Sequence, residues 1–450
     1  MNNKMTIRGD MLPLIKLGLP LVGSSVAGFL IHMTDTMMLG WYDVTALAAV
    51  TLATSAWFVV FMLGAGFGFA VVPLVASAHA AGDETRARRV TRMAFWLSIL
   101  YFALVMPLFW WSGPLFRMIG QEEIISAEAQ LYLRIAAFGT APALLTMVLR
   151  SYLSALQYTA VLLLVTLGGV VVNAVLNYTL IFGNLGLPEM GIRGAAVASI
   201  IVEGGTMLVL GIYAHAKMPE IHLYQRIWKP DWEAFLQVLR MGIPIGLTSV
   251  AEGGLFSASA VMMGWIGEIE LAGHGIALQL AALAFMFHVG MSQAATIRAG
   301  GAYGRKDELE LRRTAWASIT IALSFGVLVI ITFLSVPDFL VGLFVDVNDP
   351  ERDAVIAVGA TLLVYATLFQ FVDAGQIVAV SLLRGVHDTT VPMWLATISY
   401  WIIGLPASYV FAFVIGWGAS GLWLGLVVGL AMAALTLMTR FWTKGVKIGA

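Results

Sequence analysis

Residues 17–41, LGLPLVGSSVAGFLIHMTDTMMLGW, return further along the chain as residues 241–265, MGIPIGLTSVAEGGLFSASAVMMGW. With Pro20 set on Pro244, no gap is needed to bring Gly18, Ser25, Val26, Ala27, Met38, Gly40 and Trp41 onto identical residues. The same alignment runs on through Leu47/Leu271, Phe61/Phe285, Met62/Met286, Gly66/Gly290 and Asp83/Asp307 to Arg88-Arg89/Arg312-Arg313. A repeat of this length means that one unit is built twice, each copy in the same surroundings.

Those surroundings are lipid. Of 450 residues, 60% are hydrophobic and 11% charged, and the mean hydropathy is +0.89, too apolar for soluble domains. A span needs about 20 apolar residues to cross roughly 30 Å of hydrocarbon. Twelve such stretches fit, at about 13–39, 46–73, 91–113, 129–150, 159–182, 192–214, 238–265, 272–297, 314–337, 354–383, 390–415 and 418–440. The expected fold is therefore an all-α polytopic membrane protein of twelve transmembrane helices in two six-helix lobes. Its parts are an amino-terminal lobe (1–214), a linker (215–237) expected to include an interfacial helix, and a carboxy-terminal lobe (238–450). Six crossings separate the first span from the seventh, so the repeats run parallel, with a cleft between the halves as the natural substrate site. Lys4 and Arg8 before an apolar run have the look of a leader, but Lys16 interrupts that run and it continues to Leu39, which reads as a first span.

Loop charges orient the chain. Of the 25 Lys and Arg, all but Arg117, Arg134, Arg193 and Arg352 fall on the side of the termini, which places both termini in the cytoplasm by the positive-inside rule. The formal charge of −1 and the spread of basic residues over many loops argue against nucleic acid. The absence of cysteine removes disulfides, thiolate metal sites and cysteine nucleophiles.

A carboxylate at membrane depth costs about 2.5–3.5 kcal/mol on insertion scales, so each is a functional candidate. Four qualify: Asp35, Glu203, Glu252 and Asp373. Asp35 lies near the outer end of the first span. Asn173 and Asn177 lie one turn apart on the fifth, and Ser199 on the sixth comes to the level of Asn173. One carboxylate, two amides and a hydroxyl suit a small hard cation, or a carboxyl that alternates between charged and protonated. The plainer alternative is a solvated Asp beside two asparagines that bond between helices. Glu252 and Asp373 fall at comparable depths in the seventh and tenth spans and form a second candidate pair for a proton or a cation. Glu203 faces a cleft or meets a polar group, with no partner legible. His32, three residues before Asp35, either tunes it or packs. The seven histidines offer no metal-binding motif, so no cofactor and no catalytic residue is expected.

At Asp35-Thr36 with Gly40, Ala251-Glu252 with Leu255-Phe256, and Asp373 followed by Ser381-Leu382-Leu383-Arg384-Gly385, the chain resembles the multidrug and toxic compound extrusion (MATE) transporters of the NorM-type bacterial branch. Pro73, Gly82-Asp83, Phe285-Met286-Phe287, Ser399-Tyr400-Trp401 and Gly404-Leu405-Pro406 extend the likeness over essentially the whole chain. It implies two lobes arranged as a V, in a bacterial inner membrane. The implied activity is an antiporter that exports small lipophilic organic cations in exchange for H⁺ or Na⁺; a monomer is expected. The resemblance maps an amino-lobe cation site onto Asp35, Asn173 and Asn177 and a carboxy-lobe site onto Glu252 and Asp373. Phe369 stands where NorM-type sodium sites carry a tyrosine, which leans the carboxy lobe towards protons. The alternative within the wider superfamily is a flippase for lipid-linked oligosaccharide or peptidoglycan precursors. A pyrophosphate headgroup calls for arginines facing the cleft, whereas the arginines here lie near span ends.

Overall fold

The computed structural model describes residues 7–219, 222–347 and 349–448; Lys4 lies outside them. The described residues are helical almost throughout, and twelve helices are long and apolar enough to cross a membrane. The first six spans are formed by α1 (Ile7–Tyr42), α2 (Val44–Ala80), α3 (Glu84–Trp110), α5 (Glu123–Ala136) continued through a 3₁₀ turn by α6 (Thr140–Ala155), α7 (Thr159–Phe182) and α8 (Ile192–Lys217), with the short α4 (Ser112–Met118) after α3. The next four are α9 (Trp232–Ile266), α10 (Glu268–Gly304), α11 (Glu308–Ser335) and α13 (Arg352–Gly385), with α12 (Pro337–Gly342) between the last two. The eleventh span joins α14 (Thr390–Thr397) and α15 (Leu405–Tyr409) through π-helical turns, and the twelfth is α16 (Gly418–Arg440) with a π-helical end.

The helices outrun the apolar stretches. α2 continues to Ala80, α10 to Gly304, and α9 begins at Trp232. Nothing in their polar ends breaks a helix, so the backbone stops only where a cap or turn is supplied. After α2, left-handed Gly82 (φ 76°) turns the chain, and the Asp83 carboxylate accepts the Arg86 backbone N–H at 2.9 Å. After α10, left-handed Lys306 (φ 57°) and the Asp307 carboxylate, accepting the Glu310 N–H at 2.9 Å, do the same. The repeated Asp83/Asp307 is thus a repeated N-cap.

The chain packs as two compact units, Gly23–Leu247 and Met1–Val22 with Thr248–Ala450. The divisions lie inside α1 and α9, not at the link. Glycine explains why. A Cβ at Gly66 on α2 would stand 2.2 Å from the Gly242 carbonyl oxygen of α9, and a Cβ at its repeat mate Gly290 on α10 would stand 2.3 Å from the Val22 nitrogen of α1. Such backbone approach needs glycine on the facing helix. The first half of each repeat's leading helix is thereby held in the unit of the other repeat.

The link differs from expectation. It contains no long interfacial helix among the described residues: 223–228 form turns, with His222 (φ 50°) and Arg226 (φ 55°) left-handed. Pro230 then ends the turns, and Asp231, accepting the Ala234 N–H at 3.2 Å, starts α9. The turns are fastened to α3. Arg92 donates to the carbonyls of Gln225 (2.6 Å) and Arg226 (3.1 Å), Trp96 Nε1 to that of Ile227 (2.7 Å), and Arg89 to Asp231 and Glu233.

Apolar clusters fill each unit. In the first, Leu39, Phe109, Phe116, Leu133 and Ile181 meet; in the second, Leu255, Leu363, Tyr400, Trp423 and Leu430 do.

Candidate cation site

Helix spacing brings the amino-lobe set together. Asn173 and Asn177, four residues apart on α7, point one way, and α1 carries Asp35 to meet them, seven residues or about 10 Å short of its end. Asn173 Nδ2 donates to Asp35 Oδ1 at 3.0 Å, and Asn177 Nδ2 donates to the same oxygen at 2.5 Å. Asn177 Nδ2 also stands 3.3 Å from Asn173 Oδ1. Both asparagines are buried, at 1% and 0% exposure, while Asp35 is half-buried. No described residue bonds to Asp35 Oδ2, and Asn177 Oδ1 is buried without a hydrogen-bond partner. The site therefore fixes one carboxylate oxygen and leaves the second, with an amide carbonyl, free to take a proton or a cation.

Ser199 is not hydrogen-bonded to this carboxylate. Its hydroxyl donates to the Ala195 carbonyl at 3.0 Å, and the buried Tyr132 of α5 stands beside both Ser199 and Asp35. Tyr132 was not legible as a neighbour, because the fourth span's facing is set by its packing. His32 is exposed and lies within electrostatic reach of Asp35.

Glu203 of α8 lies within electrostatic reach of Arg150 of α6. Arg150 also donates to Ser24 (2.6 Å) and Thr166 (3.3 Å), which bond each other at 2.9 Å. Arg150 is five residues from the end of α6, and its long side chain turns inward to hydroxyls.

In the carboxy lobe, Asp373 of α13 is 2% exposed and lies within electrostatic reach of Glu252 on α9. Arg384, one residue before the end of α13, reaches the field of Glu252, and Tyr400 that of both acids. Gln376 Nε2 donates to the Tyr400 hydroxyl at 2.6 Å. Tyr400 is placed by a π-helical stretch, 398–404, in which the Leu405 N–H bonds to the Tyr400 carbonyl five residues back. Pro406, which has no N–H, adjoins that change of pitch. Phe369 is buried among rings, 5.8 Å from Phe256 and 5.6 Å from Trp423 between centroids.

Comparison with known proteins settles the family. The MatE family model matches residues 20–179 and 244–410, once in each repeat. The chain belongs to the MATE family. It is 44% identical over 430 residues to "Probable multidrug resistance protein NorM" of Rhizobium meliloti (strain 1021), covering 95% of this chain and 92% of that one. It is 43% identical over 427 residues to the protein of the same name from Agrobacterium fabrum (strain C58), covering 94% and 92%. Among solved structures, "Outward-facing conformation of a multidrug resistance MATE family transporter of the MOP superfamily" superposes with a TM-score of 0.87 at 22% identity, over 97% of each chain. "Crystal structure of MATE in the bent conformation" does so with 0.87 at 20% identity, over 98% of this chain and 97% of that one. These structural likenesses establish the twelve-helix MATE fold. The chain is a NorM-type MATE transporter rather than an enzyme, and it is a multi-pass membrane protein.

Proposed function

We propose that this MATE transporter is a multidrug efflux antiporter that exports small lipophilic organic cations in exchange for protons, as a monomer in a bacterial inner membrane with both termini cytoplasmic. The family and the relatives named for multidrug resistance support efflux, and the basic residues gathered on the side of the termini support the orientation. The observation that carries the ion reading is Asp35, with Oδ1 held by Asn173 and Asn177 and Oδ2 open. A proton arriving from outside adds to the open oxygen and cancels the charge that holds a cationic drug on the outward path. Loss of the proton to the cytoplasm restores the charge and draws in the next cation. Such coupling requires that proton and drug differ in affinity between the two access states, since equal affinity shifts nothing. Glu252 and Asp373 form the second acidic site. Beside them Phe369 withholds the hydroxyl that a sodium shell would use.

One observation favours sodium instead. The unpartnered Asn177 Oδ1 beside the Asp35 carboxylate is a second hard oxygen ligand. Ethidium efflux from proteoliposomes under an imposed pH gradient alone, and then a sodium gradient alone, separates the two. Export driven by the pH gradient without sodium supports the proton reading. Export that runs only on sodium overturns it, and export under neither overturns antiport itself.

A further inference from the structure

On the flank of the amino lobe, a groove of about 500 Å³ runs between α3, α6 and α8. Phe95 and Ile99 of α3, Leu149 of α6, and Leu208 and Ile212 of α8 line it, and Tyr224 and Ile227 of the link close its end. Its size is that of a small-molecule site, but its chemistry is not. A drug site places a few polar groups to orient its ligand; here the Tyr224 hydroxyl is already donated to the Gly211 carbonyl at 3.0 Å, and the remaining wall is hydrocarbon apart from His215. Ile99, Leu208 and Ile212 are exposed on helices that span the membrane, so the open side of the groove meets acyl chains.

The closed end meets something else. His215 and Tyr224 lie with ring centroids 6.0 Å apart, which sets the last turn of α8 beside the turns of the link. Lys217 follows on α8, and Arg226 and Lys229 on the link; all three are exposed, and none has a carboxylate within ion-pair distance among the described residues. The neighbouring arginines are already committed, Arg89 to Asp231 and Glu233, Arg92 to backbone carbonyls. Trp228 and Trp232, both largely exposed, mark this level as the membrane interface. An apolar groove whose closed-end residues His215, Tyr224 and Ile227 lie within two positions of Lys217, Arg226 and Lys229, none of them ion-paired among the described residues, complements one molecule of the surrounding bilayer.

We propose that this groove holds an acyl chain of an anionic phospholipid whose phosphate rests on Lys217, Arg226 and Lys229. The hydrocarbon supplies the fit and the three cations select the headgroup charge. Since the link is fastened to α3 through Arg89, Arg92 and Trp96, the lipid would brace the turns that lead into α9. The inference rests on the membrane fold and not on the antiport reading.

The test uses the full chain in nanodiscs of mixed phosphatidylglycerol and phosphatidylcholine, with a photoactivatable diazirine on the acyl chain of one lipid or the other. After photolysis, labelled peptides are mapped. Phosphatidylglycerol is expected to label the peptides containing Phe95–Ile99 and Met207–His215 several-fold more than phosphatidylcholine. The triple variant Lys217→Gln, Arg226→Gln, Lys229→Gln should bring the two lipids level. In Gly211→Leu, where the first added carbon would stand 3.1 Å from Tyr224 Oη and 3.8 Å from Leu149 Cδ1, labelling by both should fall. Monodisperse elution and an unchanged melting temperature of the triple variant, whose changes are all at the surface, establish that it is folded. Equal labelling by both lipids in the parent chain, labelling spread evenly over all spans, or a preference that survives the triple variant would each overturn the proposal.

Discussion

Asn177 gives its amide nitrogen to Asp35 Oδ1 at 2.5 Å while its own carbonyl oxygen is buried without a partner. An unsatisfied buried acceptor costs about 1–3 kcal/mol, and this one lies beside a carboxylate at membrane depth, which supports the proposed ion site. Asp35→Asn keeps the size and removes the charge. Its ethidium export in proteoliposomes is expected at about a tenth of the parent rate or less, with the melting temperature unchanged or raised. Asn177→Ala, which leaves Asn173 in place, should fall between. Parent-like export by Asp35→Asn would remove Asp35 from the mechanism.

Phe369→Tyr supplies the missing hydroxyl one turn before Asp373. The ring is packed between Phe256 and Trp423, so a hydroxyl that finds no partner there should cost about 1–3 kcal/mol, visible as a lower melting temperature. If proton coupling reflects the lost ligand, the variant acquires export driven by a sodium gradient. Sodium independence in a folded Phe369→Tyr variant would count against that account of the carboxy-lobe site.

Asp231 carries a pH signature outside the membrane spans. Hydrogen bonds from Arg89 hold its carboxyl below the ordinary aspartate range, and the Ala234 N–H adds to this. Because the folded pKa is depressed, the stabilisation is present above the unfolded value of about 3.9 and is lost as pH falls through the folded value. Arg89 is partly exposed, so the gain is about 1 kcal/mol or less. Thermal melts below about pH 4 should therefore lose less stability in Arg89→Ala than in the parent chain. Identical acid profiles would show that the clamp adds nothing to folding.

Gly66→Ala and Gly290→Ala should each destabilise by about 1–3 kcal/mol through overpacking, because the added carbon meets backbone of α9 or α1. Gly28→Ala is the contrasting case. Nothing lies within 4 Å of the carbon it adds, and a mid-helix Gly-to-Ala change should gain up to about 1 kcal/mol. Melting temperatures of the three variants in one detergent check the contrast, and equal shifts would refute the close-approach argument.

The chain by itself determined the medium, the number of spans, the repeat and the central trio of the amino lobe. The reasons are local. A run of about 20 apolar residues has one low-energy use, an acid inside such a run is costly, and residues four apart on a helix share a face, which puts Asn173 beside Asn177 before any packing is known. What faces a given helix is not local. Tyr132 beside Asp35, Arg150 beside Glu203, and Tyr400 with Gln376 near Glu252 and Asp373 join residues from different helices, whose rotations are fixed only by packing. The same holds for the division within α1 and α9. Gly66 and Gly290 were visible as repeat mates, but that each admits the backbone of another helix was decided by the tertiary structure, since only there do two backbones compete for the space that a missing Cβ leaves.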